Sequence, residues 1–379
     1  MHGIVQFHFP TIIRCGIQSR KEIAGHLQSQ KISRPLVVTD ENIAKLEFFS
    51  EVVKELEDAG LHVGVYSGVI GNPVVSQVEN GMQICRSHKA DGVLIVGGGA
   101  ALDVGKVIAL LATNAGEIWD YEDVPGAKPV ENAPLYTVAM PTTAGTGSEV
   151  GRSSVISNDD DHKKRIVFHP SMLPDLVIVD PEVTVGLPQG VTAATGFDAL
   201  THNIEALIAK GYHPMAEGIA MEGIRLVKEN LLAVLEDGNN IDARGNMLVA
   251  SLMGAVAFQK GLGVTHSCAH ALSTHFDTHH GLANAIMLEA CMRFNMPAAA
   301  DKMARAAAYI GVGSSAEDFC QWIRTFKSQC GLDQSFTDLG IEVSDSLVET
   351  AFADPVHGLN PRSVTQDDFR DLFHTAMKG

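Results

Sequence analysis

Between residues 35 and 185, short runs of aliphatic and β-branched residues alternate with stretches in which apolar positions recur every three or four residues. The runs read RPLVVTD, LHVGVYSG, ADGVLIVGGG, PLYTVAMPTT and DLVIVDPE, and the intervening segments 41–59 and 74–88 carry the helical spacing. Unbroken apolar runs suit strands covered on both faces. Their alternation with helices calls for a parallel sheet, at whose carboxyl ends ligands sit. After the prolines near 181–188 the pattern changes, and long Ala-, Leu- and Met-rich helical periodicities take over, as at 196–209, 214–236, 243–259 and 297–310. The expected architecture is a Rossmann-like parallel α/β domain over residues 1–185, followed by an all-α domain over 186–379.

Composition narrows the function. A chain of 379 residues, 45% of them hydrophobic, is long enough for two ordinary domains and too apolar for disorder. The 28 Lys and Arg against 45 Asp and Glu give a formal charge of −17, which repels a phosphate backbone and argues against a nucleic-acid partner. The opening MHGIVQFHFPTIIRCG has no basic stretch ahead of a clean apolar run, and no segment approaches the roughly 20 apolar residues of a membrane helix. A cytoplasmic protein off the membrane is expected. The six cysteines show no CxxC spacing, so neither a thiolate zinc site nor a redox pair is indicated.

Two loops have the chemistry of a phosphate site. ADGVLIVGGG runs a strand into Gly97–Gly99, and a helix opens at once through Lys106. Glycines allow the tight turn and the close approach of backbone N–H groups, and a helix N-terminus favours negative charge. A glycine triplet alone is commonly a structural turn, and this one lacks the GxGxxG spacing. The second loop, PTTAGTGSEV at 141–150, also follows a strand and adds the hydroxyls of Thr142, Thr143, Thr146 and Ser148. Asp40 closes the first of the apolar runs. There a carboxylate either accepts both ribose hydroxyls and repels a 2′-phosphate, favouring NAD over NADP, or caps the helix that follows.

The second half concentrates histidine. In TGFDALTHNIEAL, Asp198 and His202 lie four apart on an expected helix, with Cβ atoms about 5–6 Å apart on one face. GVTHSCAHALSTHFDTHHGLAN then places His266, His270, His275, His279 and His280 within fifteen residues. A solitary histidine on an apolar face is usually a satisfied core residue. Five together, beside an Asp/His pair, favour a site for Fe(II) or Zn(II) with a position open to a substrate oxygen.

Taken in order, GGGAALDVGK, PTTAGTGSE, ATGFDALTHNIEA, GLGVTHSCAHAL and HHGLANAIML resemble the successive signature blocks of the iron-dependent (group III) alcohol dehydrogenases, over essentially the whole chain. The resemblance implies the dehydroquinate synthase-like two-domain architecture, with Asp198, His202, His266 and His280 as metal ligands and His270 beside nicotinamide and substrate as a proton relay. His275 and His279 match no ligand position. Asp40, Asn72, Gly98, Gly99, Asp103, Thr142, Thr143 and Lys164 fall where the family contacts its dinucleotide. The implied reaction passes hydride between a primary alcohol and NAD, with Fe(II) or alternatively Zn(II) as Lewis acid, in a homodimer or larger assembly.

Departures from the family pattern locate what is particular to this chain. Ala100 and Ala101 stand where the family has serine and proline, which removes a hydroxyl but leaves the backbone N–H groups. Pro355 and His357, in ADPVHGLNPRSVT, lie where members vary most and are expected to shape substrate choice. The segment from RIVFHPSMLPDLVIVDPE to AVAFQKGLG is most similar to members acting on ω-hydroxy acids such as 4-hydroxybutyrate, for which Arg362 offers a cation or is a structural residue. The rivals of the same build are a zinc-dependent polyol dehydrogenase and a dehydroquinate synthase-like lyase. A lyase acting on a phosphorylated acid needs clustered Lys and Arg, whereas only Lys260, with Arg293 further on, lies near the histidines.

Overall fold

The computed structural model describes residues 6–160 and 163–377. The chain divides into an α/β unit, Pro10–Thr143 with Gly147–Val185, and a helical unit that starts at Gly186. Two short segments, residues 144–146 and the described residues ahead of Pro10, group with the helical unit and not with the α/β domain that a single boundary at 185 assigns them to. The reason is local. The Gln259 amide accepts from the His8 N–H and donates to the His8 carbonyl, both at 2.7 Å, and a Cβ on Gly145 would come within 2.9 Å of Thr195.

The α/β unit contains strands β1 (Ile12–Cys15), β2 (Pro35–Asp40), β3 (Gly64–Val69), β4 (Gly92–Gly97), β5 (Tyr136–Pro141), β6 (Ser153–Ser157), β7 (Lys164–Phe168) and β8 (Leu176–Val179). Its helices are α1 (Ile23–Ser29), α2 (Glu47–Asp58), α3 (Val75–His88) and α4 (Gly99–Thr113). Six strands form one sheet in the order β1-β8-β5-β4-β2-β3, every pair parallel, while β6 and β7 make a separate antiparallel pair. Val93 and Ile95 of β4 join a core with residues of α3 and α4, and Leu94 and Val96 join one with residues of α1 and α2. Each such side chain is fully buried, worth about 1.5–3 kcal/mol, which is why the strand reads as an unbroken apolar run. The chain steps from β2 outward to β3, and from β4 in the opposite direction to β5. The carboxyl ends of β2 and β4, Asp40 and Gly97, therefore flank the point where the strand order reverses.

The edge strand β1 and the β6/β7 hairpin were not signalled by the apolar pattern, because both are partly exposed and the hairpin is largely polar. The first helical segment is also shorter than 41–59, since a 3-10 turn over Ile43–Lys45 precedes α2.

The helical unit is built from α5 (Gln189–Ile208), α6 (Pro214–Glu236), α7 (Ile241–Ala257), α8 (Val264–Phe276), α9 (His280–Tyr309), α10 (Ala316–Gln329), α11 (Asp345–Ala353) and α12 (Gln366–Met377). α5 is buried on nearly every side and packs against α6, α7 and α9. Close approach depends on glycine: a Cβ on Gly281 of α9 would stand 2.1 Å from the Ala194 carbonyl oxygen of α5, and one on Gly254 of α7 2.9 Å from the His202 Cβ. α9 continues through Pro297, where the sequence pattern had suggested a helix start. Among the described residues no single helix is long and apolar enough to cross a membrane.

Candidate metal centre and dinucleotide loops

Three helices of the helical unit supply the histidine cluster. α5 contributes Asp198 and His202 one turn apart, α8 contributes His266 and His270 one turn apart, and α9 begins with His280. One ligand atom each from Asp198, His202 and His266 lies within 4.8 Å of the others, and all three residues are buried. His280 joins them, its Nε2 being 3.4 Å from Asp198 Oδ1, against 3.8 Å for His266 Nε2 and 3.9 Å for His202 Nδ1. One carboxylate and three imidazoles thus converge on a point, the donor set expected for Fe(II) or Zn(II).

The hydrogen bonds show which ring nitrogens are available. His202 donates to the Gly145 carbonyl, which leaves its Nδ1 buried with no partner. His266 Nδ1 is 2.7 Å from Glu205 Oε2, so its Nε2 is the nitrogen turned to Asp198. Glu205 is itself locked by the backbone N–H groups of Gly263 and Thr265, at 3.0 and 2.7 Å. At the centre lies the Asn284 amide nitrogen, 2.8 Å from Asp198 Oδ1 and 3.4 and 3.3 Å from the Nε2 atoms of His266 and His280. An orphaned imidazole nitrogen and a buried carboxylate on which two further imidazoles converge fit a site built for a cation.

The electrostatics agree with that reading. Burial opposes ionisation of Asp198, but the surrounding histidines hold its carboxyl far below the ordinary range. Burial pushes His202 down to about 4, so it is neutral at pH 7. His266 is pulled down by burial but raised further by its bonds to Asp198 and Glu205, ending at about 9.

His270 is set apart from this group. Its ring stacks on His280 at 5.3 Å, and its Nδ1 faces Asp354 Oδ2 at 2.7 Å. His275 bonds Thr350 on the surface, and His279 immediately precedes α9. Neither belongs to the Asp198 cluster.

In the α/β unit, Gly97, Gly98 and Gly99 join β4 to α4 with no side chain capping the helix, which leaves its first N–H groups for a ligand. A Cβ on Gly97 would stand 2.6 Å from the Ala101 Cβ, and one on Gly98 3.2 Å from Thr143 Oγ1, so the loop admits nothing larger than glycine at Gly97 without displacement. Thr142 N–H donates to the Gly97 carbonyl at 3.0 Å, tying the two loops together. Asp40 faces two ways. Its Oδ1 accepts from the N–H groups of Asn42 and Ile43, each at 2.9 Å, while its Oδ2 lies 3.5 Å from the Cβ position of Gly97, on the side of the loop.

Asp103 lies one turn into α4, with both oxygens taken by protein: Ser148 Oγ at 2.5 Å and Val155 N–H at 2.9 Å. Its place is therefore underneath the second loop, supporting it. Buried Lys106 completes the support with bonds to the Ser148 hydroxyl and carbonyl and to the Ser153 carbonyl. Asn72 is exposed between β3 and α3, and Lys164 opens β7 opposite Ser157.

A family model described as iron-containing alcohol dehydrogenase matches residues 10–181, and one for the C-terminal part of the Fe-containing alcohol dehydrogenase family matches 192–377. The 4-hydroxybutyrate dehydrogenase of Cupriavidus necator is 36% identical over 359 residues, covering 91% of this chain and 93% of the relative. Alcohol dehydrogenase 4 of Saccharomyces cerevisiae (strain YJM789) is 34% identical over 373 residues, 97% of each chain. A solved 1,3-propanediol oxidoreductase matches the fold with a TM-score of 0.93 at 32% identity, over 99% of this chain and 100% of the other.

This chain belongs to the iron-containing alcohol dehydrogenase family.

As a member of that family it is an oxidoreductase, and the lyase alternative has no support from these matches. Three residues of this dehydrogenase's cluster escaped the sequence reading. Glu205 follows Asp198 by seven and His202 by three, a helical spacing that puts it on their face. Asn284 likewise follows His280 by four. Asp354 had no local signal, because 84 residues separate it from His270. Arg362, offered as a cation for a substrate carboxylate, is instead structural. Its guanidinium stacks 3.9 Å above Phe294, donates to the Phe294 carbonyl and pairs with Asp368.

Two predictions follow from these supports. Glu205→Gln keeps the size but loses the negative charge that orients His266, so metal affinity should fall about 10- to 100-fold in competition against a chelator. Unchanged affinity would show that Glu205 only ties helices together. Glu149, next to Ser148, is buried with neither oxygen paired, and burial pushes its carboxyl from the ordinary 4.5 up to about 7. Within that window the folded chain holds a proton that the unfolded chain has released, so stability falls as pH rises. The stability difference between wild type and Glu149→Gln, from urea midpoints, should move about 1–3 kcal/mol against wild type between pH 5 and pH 8. A difference independent of pH would contradict the buried, protonated acid.

Proposed function

We propose that this dehydrogenase interconverts a primary alcohol and its aldehyde, using NAD and a divalent iron held by Asp198, His202, His266 and His280, with ω-hydroxy acids such as 4-hydroxybutyrate as substrates. The observation carrying this reading is the converging carboxylate and imidazoles with the buried, unpartnered His202 Nδ1. Zn(II) suits the same donors. The relative at 36% identity supports the substrate class.

A bound ion supplies Lewis acidity that lowers the pKa of an alcohol oxygen, and the nicotinamide accepts the hydride. The chain's own residues do the remainder. Asp198 stays ionised and provides the anionic donor. Glu205 and the Gly145 carbonyl fix the rings of His266 and His202 so that one nitrogen of each is free to ligate. His270 Nε2, opposite the nitrogen held by Asp354, takes up the alcohol proton. The uncapped start of α4 with Gly98 and Gly99 receives the pyrophosphate, flanked by Thr142 and Thr143, and Asp40 takes the ribose hydroxyls and rejects a 2′-phosphate. Asn72 and Lys164 complete the dinucleotide contacts.

The test is NADH or NADPH absorbance with metal-stripped protein reloaded without oxygen with Fe(II) or Zn(II), against short aldehydes including succinic semialdehyde. Metal-dependent oxidation of NADH, fastest with succinic semialdehyde, is expected. A metal-loaded, NADH-binding protein inert towards every aldehyde would sink the reading, and a preference for NADPH would remove the role given to Asp40.

A further inference from the structure

The turn between α11 and α12 carries a carboxylate aimed at His270. Asp354 precedes a 3-10 turn over Pro355–Leu359, and its Oδ1 accepts from the Val356 N–H at 2.9 Å and from Ser267 Oγ at 3.0 Å. The other oxygen, Oδ2, lies 2.7 Å from His270 Nδ1. Ser267 has one hydroxyl proton, given to Asp354, so the His357 ring nitrogen 3.3 Å from Ser267 Oγ is the donor there. Every group around the carboxylate thus donates towards it. An ionised acceptor facing an imidazole nitrogen selects the tautomer with the proton on that nitrogen. His270 therefore carries its hydrogen on Nδ1 and shows a bare lone pair at Nε2.

We propose that Asp354 is a positioning residue for the dehydrogenase reaction, holding His270 in the ring orientation and tautomer in which Nε2 accepts the substrate's hydroxyl proton. The inference rests on the role given to His270 above. Its chemistry is a simple transfer: the alcohol O–H bond breaks, an N–H bond forms at Nε2, and the carbinol hydride leaves to NAD. Burial strengthens the arrangement. Asp354 is mostly enclosed, which opposes its charge, but the facing His270 and its two other donors, the Val356 N–H and the Ser267 hydroxyl, hold its carboxyl down at about 2. Because Oδ1 is committed to the Val356 N–H and Ser267 hydroxyl donors, an asparagine in its place must turn its N–H₂ towards His270. That substitution reverses the hydrogen bond and forces the proton onto Nε2.

Asp354 also caps its turn, so the test must separate positioning from folding. Asp354→Asn and Asp354→Ser both keep a capping oxygen, and neither keeps the second acceptor. Holoenzyme of each is compared with wild type, with His270→Gln and with the two double variants, in the zinc-loaded form. Both single variants should retain zinc, NADH affinity and KM while kcat falls about 10- to 100-fold, with no further loss in the His270→Gln background. Asp354→Glu should recover part of the rate. The ¹⁵N spectrum of labelled histidine should show His270, assigned by its loss in His270→Gln, as the Nδ1–H form in wild type and the Nε2–H form in Asp354→Asn. A wild-type kcat in both Asp354 variants, or a loss that multiplies with that of His270→Gln, overturns the proposal while leaving His270 in place. A wild-type kcat in His270→Gln itself overturns the role of His270, and the inference with it.

Discussion

A buried carboxylate ringed by imidazoles sets the terms for the whole helical unit. An ion taken from water into a protein interior costs several kcal/mol unless partners compensate it, and among the described residues Asp198 pairs with no arginine or lysine. Its compensation comes from His202, His266 and His280 and from the Asn284 amide, which reach it from three helices. The backbones of α5 and α9 must therefore approach closely, and α7 packs tightly behind His202; Gly281 and Gly254 stand where any side chain would collide with the neighbouring helix. Glu205 extends the network outward by tying His266 to the N-terminus of α8. Polar groups buried this deeply are tolerable only when nearly all are satisfied, and within this cluster His202 Nδ1 has no partner, as suits a nitrogen that would ligate a cation.

The α/β unit obeys a different constraint. A sheet covered on both faces must send its strands' carboxyl ends to the surface at the point of reversal, and there the chain has spent glycine, threonine and one carboxylate. The two phosphate-friendly loops do not stand alone. Asp103 and Lys106, below the start of α4, hold Ser148 and the β6 backbone in place. Substituting Ala100 and Ala101 for the family's serine and proline leaves this framework intact, because the groups offered to a phosphate are backbone N–H groups, and Ala101 packs into the core beneath them.

Much of this was legible in the chain because the responsible signals are local. Apolar runs in register with a two-faced sheet, the Asp198/His202 and His266/His270 pairs one helical turn apart, and glycines after a strand are all short-range patterns. What stayed hidden depends on distant partners or on partial exposure. Edge strand β1 is only four residues long and partly exposed, too short to stand out as an apolar run. Asp40 holds the backbone of the turn that follows it through one oxygen, as the capping reading expects, and its other oxygen lies beside the glycine loop. Asp354 becomes meaningful only when the closing turn folds back on α8, which no periodicity could announce.

Anomalous diffraction at the iron edge, from crystals of protein loaded with Fe(II) under anaerobic conditions, would locate the ion. One strong peak is expected, bounded by Asp198, His202, His266 and His280, with the Asn284 amide turned aside and Glu205 still on His266 without touching the ion. A peak elsewhere among the histidines, for example at His275 and His279, or none with Asn284 still seated among the four side chains, would contradict it.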